Sequence, residues 1–190
     1  NATNYIDGID GLLLTFFISC LTYYIFLIDD KQTINLLKIF IYASSLNLIL
    51  NLLPSKSKLK MFSGDAGSLF IGFFISFVTI EMYNNFNIHP TYLIWPLWYP
   101  VYDFLFVSIN RLLYKKSIFS ADNTHLHHII IKKFYKNSLI PILLFVGLNS
   151  MIIFLGFKVS EISKLLSLIF FVTGFIIFFV IRFYSSYKKL

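Results

Sequence analysis

Residues 6–28 read IDGIDGLLLTFFISCLTYYIFLI, a segment rich in aspartate and glycine that leads directly into apolar sequence. From residue 11 to residue 28 this run contains no charged side chain. A helix that crosses the hydrocarbon core of a bilayer needs about 20 mainly apolar residues, with a workable range of about 17 to 25. The run therefore predicts a membrane-spanning helix, with Asp7 and Asp10 just before its N-terminal end.

Five more apolar runs follow along the chain, at residues 36–53, 69–86, 91–110, 138–157 and 165–181. With 57% hydrophobic and 13% charged residues, the composition excludes an ordinary soluble domain. We therefore predict an all-α fold, a polytopic membrane bundle of about six transmembrane helices. Cys20 is the only cysteine and lies within the first run, which excludes disulfide bonds and four-cysteine zinc sites and indicates a packing role.

The positive charge of the chain falls mainly on one side of these predicted helices. Six crossings place both termini and the loops 54–68 and 111–137 on the same side, which carries twelve of the 16 Lys and Arg residues. Only Lys31, Lys158 and Lys164 flank the other side. Because cytoplasmic loops carry an excess of Lys and Arg, both termini are predicted to be cytoplasmic. These loops account for the net charge of +7, so the charge does not indicate nucleic-acid binding.

Three polar motifs lie on the predicted cytoplasmic side. The first, NATNYIDGIDGL at residues 1–12, carries polar side chains at every third position: Asn1, Asn4, Asp7 and Asp10. In a tight helical turn this spacing gives one polar stripe. Gly8 and Gly11 allow a ligand or another backbone to approach closely.

The second motif, KMFSGDAGS at residues 60–68, places Asp65 immediately before the third apolar run. A helix N-terminus can hold phosphate oxygens, and a carboxylate there suits a hard cation such as Mg²⁺. The third motif, ADNTHLHH at residues 121–128, lies in a lysine-rich loop, where imidazoles can bind a diphosphate or shuttle protons. Together the motifs predict phosphoryl transfer between a soluble nucleotide and a lipid acceptor.

Each motif taken alone also has a simpler interpretation. An Asp-Gly pair usually marks a turn, GDAGS can be a helix cap with small residues for packing, and HLHH can be a solvated loop or an adventitious metal site. Asp103, inside the fourth run, fits an interhelical hydrogen bond or ion pair as well as a functional role. For Glu81 and Lys38, snorkelling from the outer half or a helix end is a sufficient explanation.

Taken together and in this order, the motifs resemble those of the polyprenyl-phosphate N-acetylhexosamine-1-phosphate transferases. This family includes the undecaprenyl-phosphate GlcNAc-1-phosphate transferases and, more distantly, the phospho-MurNAc-pentapeptide translocase. The matching patterns are Asn-x-x-Asn-x-x-Asp-Gly-Ile-Asp-Gly-Leu at 1–12, Phe-x-Gly-Asp-Ala-Gly-Ser at 62–68 and His-x-His-His at 125–128. The resemblance implies a single integral-membrane catalytic domain over residues 1–190 that lacks the family's N-terminal helices and their Asp-Asp motif.

The resemblance also implies roles for individual residues. The implied catalytic residues are Asp7, Asp10 and Asp65. Of these, Asp65 and Asp7 are implied to bind Mg²⁺, with Mn²⁺ as an alternative. The implied substrate-binding residues are Asn4, Phe62, His125, His127 and His128, with Phe62 stacking on uracil and the histidines contacting the phosphates of the nucleotide sugar.

The expected reaction transfers N-acetylhexosamine-1-phosphate from a UDP-sugar to polyprenyl (undecaprenyl) phosphate and releases UMP, for bacterial cell-envelope polysaccharide synthesis. The expected location is the bacterial plasma (inner) membrane, with the active site at the cytoplasmic face. The expected partners are the UDP-sugar, the lipid and the membrane, without nucleic acid, and a homodimer is possible. Two alternatives stay open: a non-catalytic remnant or membrane partner subunit of such an enzyme, and a transporter that uses Asp103, Glu81 and Lys38 as a relay.

Overall fold

The computed structural model describes residues 2–115 and 139–187, and all regular elements in these two stretches are helical. A short 3₁₀ helix, Asn4–Ile6, precedes α1 (Leu12–Phe26), α2 (Lys31–Asn51) and α3 (Gly64–Asn84). The chain continues with α4 (Pro90–Leu93), a second 3₁₀ helix (Trp95–Leu97), α5 (Trp98–Leu113), α6 (Leu139–Ile162) and α7 (Lys164–Tyr187). The predicted all-α class is confirmed.

Several of these helices are suited to a bilayer. By length and composition, α2, α3, α6 and α7 can each cross a membrane. The apolar helix α1 is shorter, because its 15 residues extend about 22 Å at about 1.5 Å per residue. The protein is therefore a multi-pass membrane protein, as its composition predicts.

The fourth apolar run does not form the one continuous helix that its length predicts. It is divided into α4, the second 3₁₀ helix and α5, with Pro96 inside the 3₁₀ helix. Proline has no backbone N–H and clashes with the preceding helical turn, so Pro96 prevents a regular α-helix here. Cys20, fully buried in α1, donates to the Pro96 carbonyl oxygen with a sulfur–oxygen distance of 3.5 Å. The predicted packing role of Cys20 is confirmed.

Contacts along α5 establish the directions of the last two helices. The Trp98 indole donates to Asn149 of α6, and the Tyr99 ring packs against Phe145 of α6, so α6 runs antiparallel to α5. The Tyr102 hydroxyl donates to the Phe171 carbonyl of α7, and further contacts continue towards the end of α7, so α7 runs parallel to α5.

One end of the bundle therefore carries the N-terminal segment, the start of α3 and α6, and the end of α2, α5 and α7. We call this the site end. The most buried helix is α1, which contacts α2, α3 and α6. Its fully or almost fully buried side chains are Leu13, Phe16, Phe17, Cys20, Leu21 and Tyr24.

Gly156 of α6 allows Trp95 to pack directly on the helix backbone. A Cβ atom at this position would lie 2.0 Å from the Trp95 ring. The Trp95 indole also donates to Ser167 Oγ of α7 at 2.9 Å, which keeps the ring from moving away freely. We predict that Gly156→Ala destabilises the protein by about 1–3 kcal/mol, because overpacking displaces neighbouring side chains.

Gly147→Ala is the matched control on the same helix. Among the described residues, no atom beyond the local helix backbone and the two chain neighbours lies within 4 Å of an added Cβ there, so the substitution should be neutral or slightly stabilising through the higher helix propensity of alanine. Thermal unfolding of the complete protein in detergent measures both variants. Equal melting temperatures for the two alanine variants would contradict the packing described for Trp95.

Candidate active site

The N-terminal segment is anchored at the site end by every third residue. Thr3, Ile6 and Ile9 are buried, and the 3₁₀ helix contacts α3 and α5. Thr3 packs against Gly72 of α3, where an added Cβ would lie 2.5 Å from the threonine hydroxyl. This apolar side of the segment holds it against the bundle.

The polar side of the same segment carries three of the predicted site residues. Asn4, Asp7 and Asp10 are each partly exposed, as expected from their spacing. The regular 3₁₀ helix is shorter than the predicted stripe, because it ends at Ile6 and the chain continues through turns to α1. Asn1 lies outside the described residues.

A buried hydroxyl joins the first motif to the second. Ser68 is fully buried, and its Oγ lies 3.0 Å from Asn4 Oδ1 and 3.0 Å from the Asp65 carbonyl oxygen. The hydroxyl can donate to either oxygen. The first two predicted motifs, 64 positions apart at this contact, therefore meet at the site end.

Asp65 lies in the first turn of α3 and is exposed. The preceding residue, Gly64, has a φ of +61°, which glycine adopts at low cost and which turns the chain into the helix. The first turn of a helix presents free amide groups and the positive end of the helix dipole. The predicted position of Asp65 at a helix N-terminus is confirmed, and the site can accommodate both a cation and phosphate oxygens.

The environment of Asp7 reflects the convergence of negative charge. Burial, followed by the negative charges of Asp65 and Asp10, raises the pKa of Asp7 from 3.8 to about 6. Repulsion between carboxylates favours protonation of one of them unless a cation compensates the charge. Asp7 and Asp65 therefore form a pair that a cation would stabilise.

Asp10 has a different partner, Lys60. The two side chains form an ion pair with 2.5 Å between Lys60 Nζ and Asp10 Oδ2. Lys60 Nζ also lies 5.1 Å from the centroid of the Phe62 ring, and Phe62 itself is 69% exposed. The sequence did not identify Lys60 as a site residue. Its position two residues before Phe62, inside the second motif, was the available signal.

Asn51, the last residue of α2, was also missed. Its Oδ1 accepts from the Gly11 amide at 2.5 Å, and its Nδ2 donates to the Met61 carbonyl at 2.7 Å. Gly11 has a φ of +80°, and an added Cβ there would lie 2.9 Å from Leu52. The close approach predicted at Gly11 is therefore made by side chains of α2 and α6. Asn51 connects the starts of α1 and the second motif.

The donor set can be compared with the needs of a metal ion. Among residues 2–115 and 139–187, no group of three or more His, Cys, Asp or Glu side chains could hold a metal ion. Mg²⁺ does not require such a group, because it usually keeps several waters and binds through one or two carboxylates plus substrate phosphates. Asp7 and Asp65 fit this requirement, whereas Asp10 is already paired with Lys60.

Asp103 forms an ion pair between helices. Arg182 of α7 lies 3.5 Å from Asp103 Oδ1, and both residues are almost fully buried. The Arg182 guanidinium also lies 4.7 Å from the Phe106 ring centroid. The structure thus shows the ion-pair interpretation of Asp103, with a partner that the sequence analysis did not name.

Lys38 is exposed on α2, and Glu81 accepts from Asn85 at the end of α3, so neither joins this pair. His125, His127 and His128 lie outside the described residues.

Comparison with known proteins gives a family match for the first part of the chain. Residues 1–83 match the family model described as glycosyl transferase family 4. They belong to that family. The match covers the first motif, the second motif and α1 to most of α3, and it includes Asn4, Asp7, Asp10 and Asp65.

Individual curated proteins are similar to more of the chain. An undecaprenyl-phosphate alpha-N-acetylglucosaminyl 1-phosphate transferase of Yersinia pestis is 30% identical over 187 residues, covering 94% of this chain and 51% of that protein. The enzyme of the same name from Escherichia coli K12 is 33% identical over 139 residues, 70% of this chain and 37% of its own length. A probable undecaprenyl-phosphate N-acetylglucosaminyl 1-phosphate transferase of Bacillus subtilis is 34% identical over 139 residues, 67% of this chain and 36% of its own length.

The chain thus spans about half the length of the Yersinia relative and less of the other two. No solved structure matches it significantly. The resemblance inferred from the three motifs is confirmed by the family model and by these relatives.

Asp7→Asn should change how stability depends on pH. Because folding raises the pKa of Asp7 from 3.8 to about 6, the folded protein retains a proton in this window that the unfolded chain has lost. Stability therefore falls as the pH rises through the window. In metal-free buffer, Asp7→Asn should raise the melting temperature above pH 6 and have little effect near the ordinary pKa of 3.8.

Thermal unfolding of the complete protein in detergent with a chelator, across this pH range, measures the effect. Asp7→Glu, which keeps the carboxylate, is the matched control and should retain the wild-type decline. If Asp7→Asn raises the melting temperature equally at every pH, the result would contradict an electrostatic origin of the effect.

Proposed function

We propose that the complete protein transfers an N-acetylhexosamine-1-phosphate from a UDP-sugar to polyprenyl phosphate, with undecaprenyl phosphate as the acceptor, and releases UMP. The contact between Asn4 and Ser68 carries this proposal, because it joins two polar motifs at one end of a membrane bundle. The names of the relatives, which specify undecaprenyl phosphate and an N-acetylglucosaminyl 1-phosphate group, support the same reaction.

In the proposed reaction, a phosphate oxygen of the lipid attacks the sugar-linked phosphorus of the UDP-sugar. The bond from that phosphorus to the bridging oxygen breaks, and UMP leaves with this oxygen. Such transfers depend mainly on positioning and on electrostatic stabilisation of the phosphoryl oxygens. Asp7 and Asp65 are the proposed ligands of Mg²⁺, or alternatively Mn²⁺, which when bound neutralises negative charge on the phosphates.

The protein's own groups position the donor. The free amides in the first turn of α3, next to Asp65, can donate to phosphate oxygens. The exposed ring of Phe62 provides a surface on which uracil can stack, and Asp10 completes the proposed catalytic set. The proposed phosphate contacts of His125, His127 and His128 extend this set.

The charge distribution supports a cytoplasmic position for the site. Lys56, Lys58 and Lys60 lie in the loop between α2 and α3 at the site end, and Lys158 and Lys164 lie near the opposite end. Positive charge in short loops favours the cytoplasmic side. We therefore place the proposed reaction at the inner face of the bacterial plasma membrane, where it would serve cell-envelope polysaccharide synthesis.

Replacing Asp65 by Asn should lower kcat by about 100-fold or more, since the proposed metal loses one of its two carboxylates and the transferred phosphoryl group its charge compensation. The measurement is UMP release by the complete protein with Mg²⁺, polyprenyl phosphate and a panel of UDP-N-acetyl sugars. Glu161→Gln is the control, because Glu161 pairs with Lys158 at the opposite end of the bundle.

The panel also separates the alternatives. Near-normal transfer by Asp65→Asn would overturn the role of Asp65. Absence of UMP release by the wild-type protein with every sugar would favour the remnant or partner subunit, and solute uptake without UMP release in proteoliposomes would favour the transporter.

A further inference from the structure

We propose that Lys60 is a positioning residue of the nucleotide site, which holds the carboxylate of Asp10 and the ring of Phe62 at a fixed spacing. The inference rests on the proposed function and deepens it, because it assigns a task to a residue outside the predicted catalytic and binding set. Three observations carry it: the burial of Lys60, its two partners, and the anchoring of the backbone between Lys60 and Phe62.

The first observation is that the side chain of Lys60 is buried, although the residue as a whole is half-buried and its loop is polar. Its side chain is 6% exposed, whereas Lys56 and Lys58 in the same loop are exposed. Lysine is almost never fully buried unless it is paired, because its ammonium loses hydration. The pair with Asp10, 50 positions away, compensates this loss and connects the loop before α3 to the turn before α1.

The second observation is that the same ammonium contacts Phe62. Its distance of 5.1 Å from the ring centroid is within the range of a cation–π interaction, for which about 6 Å is the limit. Phe62 is 69% exposed, so burial does little to hold the ring in place. The ammonium provides an attraction that orients this exposed ring relative to Asp10.

The third observation concerns the backbone. Met61, the residue between Lys60 and Phe62, has its carbonyl held by Asn51 Nδ2 at 2.7 Å. The same Asn51 side chain holds the Gly11 amide, next to Asp10. Asn51 therefore aligns the two backbones, and Lys60 aligns the side chains that they carry. An aromatic surface and an acceptor carboxylate held in this way form a rigid recognition unit for a planar base.

The ion pair with Lys60 also gives Asp10 a role different from that of Asp7 and Asp65. By pairing with Asp10, Lys60 leaves Asp7 and Asp65 as the two carboxylates proposed for the metal. The competing interpretation is that Lys60 leaves Asp10 when substrate arrives and binds the diphosphate directly. The two interpretations predict different behaviour of a double variant.

The test measures KM for the UDP-sugar and kcat of the complete protein by UMP release. Lys60→Met should raise KM about tenfold, because the Phe62 ring is no longer oriented, and should also lower kcat, because Asp10 of the proposed catalytic set loses its ion pair. Lys60→Arg, which keeps the charge and the cation–π contact, should restore most of the affinity. Lys58→Met removes an exposed charge from the same loop and should leave KM unchanged.

The double variant Lys60→Met/Phe62→Leu distinguishes positioning from direct phosphate binding. If Lys60 acts through Phe62, its KM should be no higher than that of Phe62→Leu alone. If the increase in KM of the double variant equals the product of the increases in the two single variants, the proposal is overturned in favour of direct phosphate binding. Equal increases in Lys60→Met and Lys58→Met would overturn it in favour of general electrostatic attraction.

A spectroscopic measurement keeps the inference testable without activity. With 4-fluorophenylalanine incorporated only at position 62, the fluorine resonance of the complete protein in detergent should shift in Lys60→Met and remain near the wild-type value in Lys60→Arg and Lys58→Met. An unchanged resonance in Lys60→Met would overturn the positioning role even if the wild-type protein is active. Absence of UMP release by a wild-type protein whose resonance responds in this way would reject the proposed function alone.

Discussion

Burial of Thr3, Ile6 and Ile9, with the 3₁₀ helix packed on α3 and α5, is the interaction on which the site depends. A segment with two Asp-Gly pairs has little helix propensity and would remain mobile in water. The side chains at every third position give the segment a surface that folding removes from water. The polar side chains between them are then held in a fixed orientation. The glycine at position 72 is part of the same constraint, because it leaves room for Thr3 on α3.

Once the N-terminal segment is held in place, its aspartates lie close to the charged side chains of Asp65 and Lys60. Asp7, Asp10 and Asp65 lie at the site end, and the Lys60 ammonium pairs with Asp10. Burial, together with the negative charges of Asp65 and Asp10, raises the pKa of Asp7. A divalent cation between Asp7 and Asp65 would relieve the repulsion between these negative charges and at the same time attract a diphosphate.

Much of the fold could be predicted from the sequence, since apolar runs of membrane length leave few alternatives to helices in lipid. The helix ends at which Asp7 and Asp65 lie followed from the same runs. The break at Pro96 was not predicted, because the run 91–110 is apolar enough to span and its interruption depends on where proline falls relative to the helical hydrogen bonds.

The sequence alone did not predict which side chains contact one another at the site. Lys60 was one lysine among several in its loop, and Asn51 was a polar residue at the end of an apolar run. Their tasks arise from contacts that join positions 10 and 60, or 11, 51 and 61. Arg182 was similarly ambiguous, since an arginine near a helix end can snorkel to the surface without any partner.

The pair between Asp103 and Arg182 has a consequence for how the membrane protein is assembled. Asp103 of α5 and Arg182 of α7 are both costly to expose to lipid, by about 2.5–3.5 kcal/mol for a charged residue at the middle of a bilayer. Association of the two helices removes both residues from lipid in one step. Because α7 follows α5 in the chain, Asp103 enters the bilayer before its partner Arg182 has been made, and a variant without α7 would lack this counterpart.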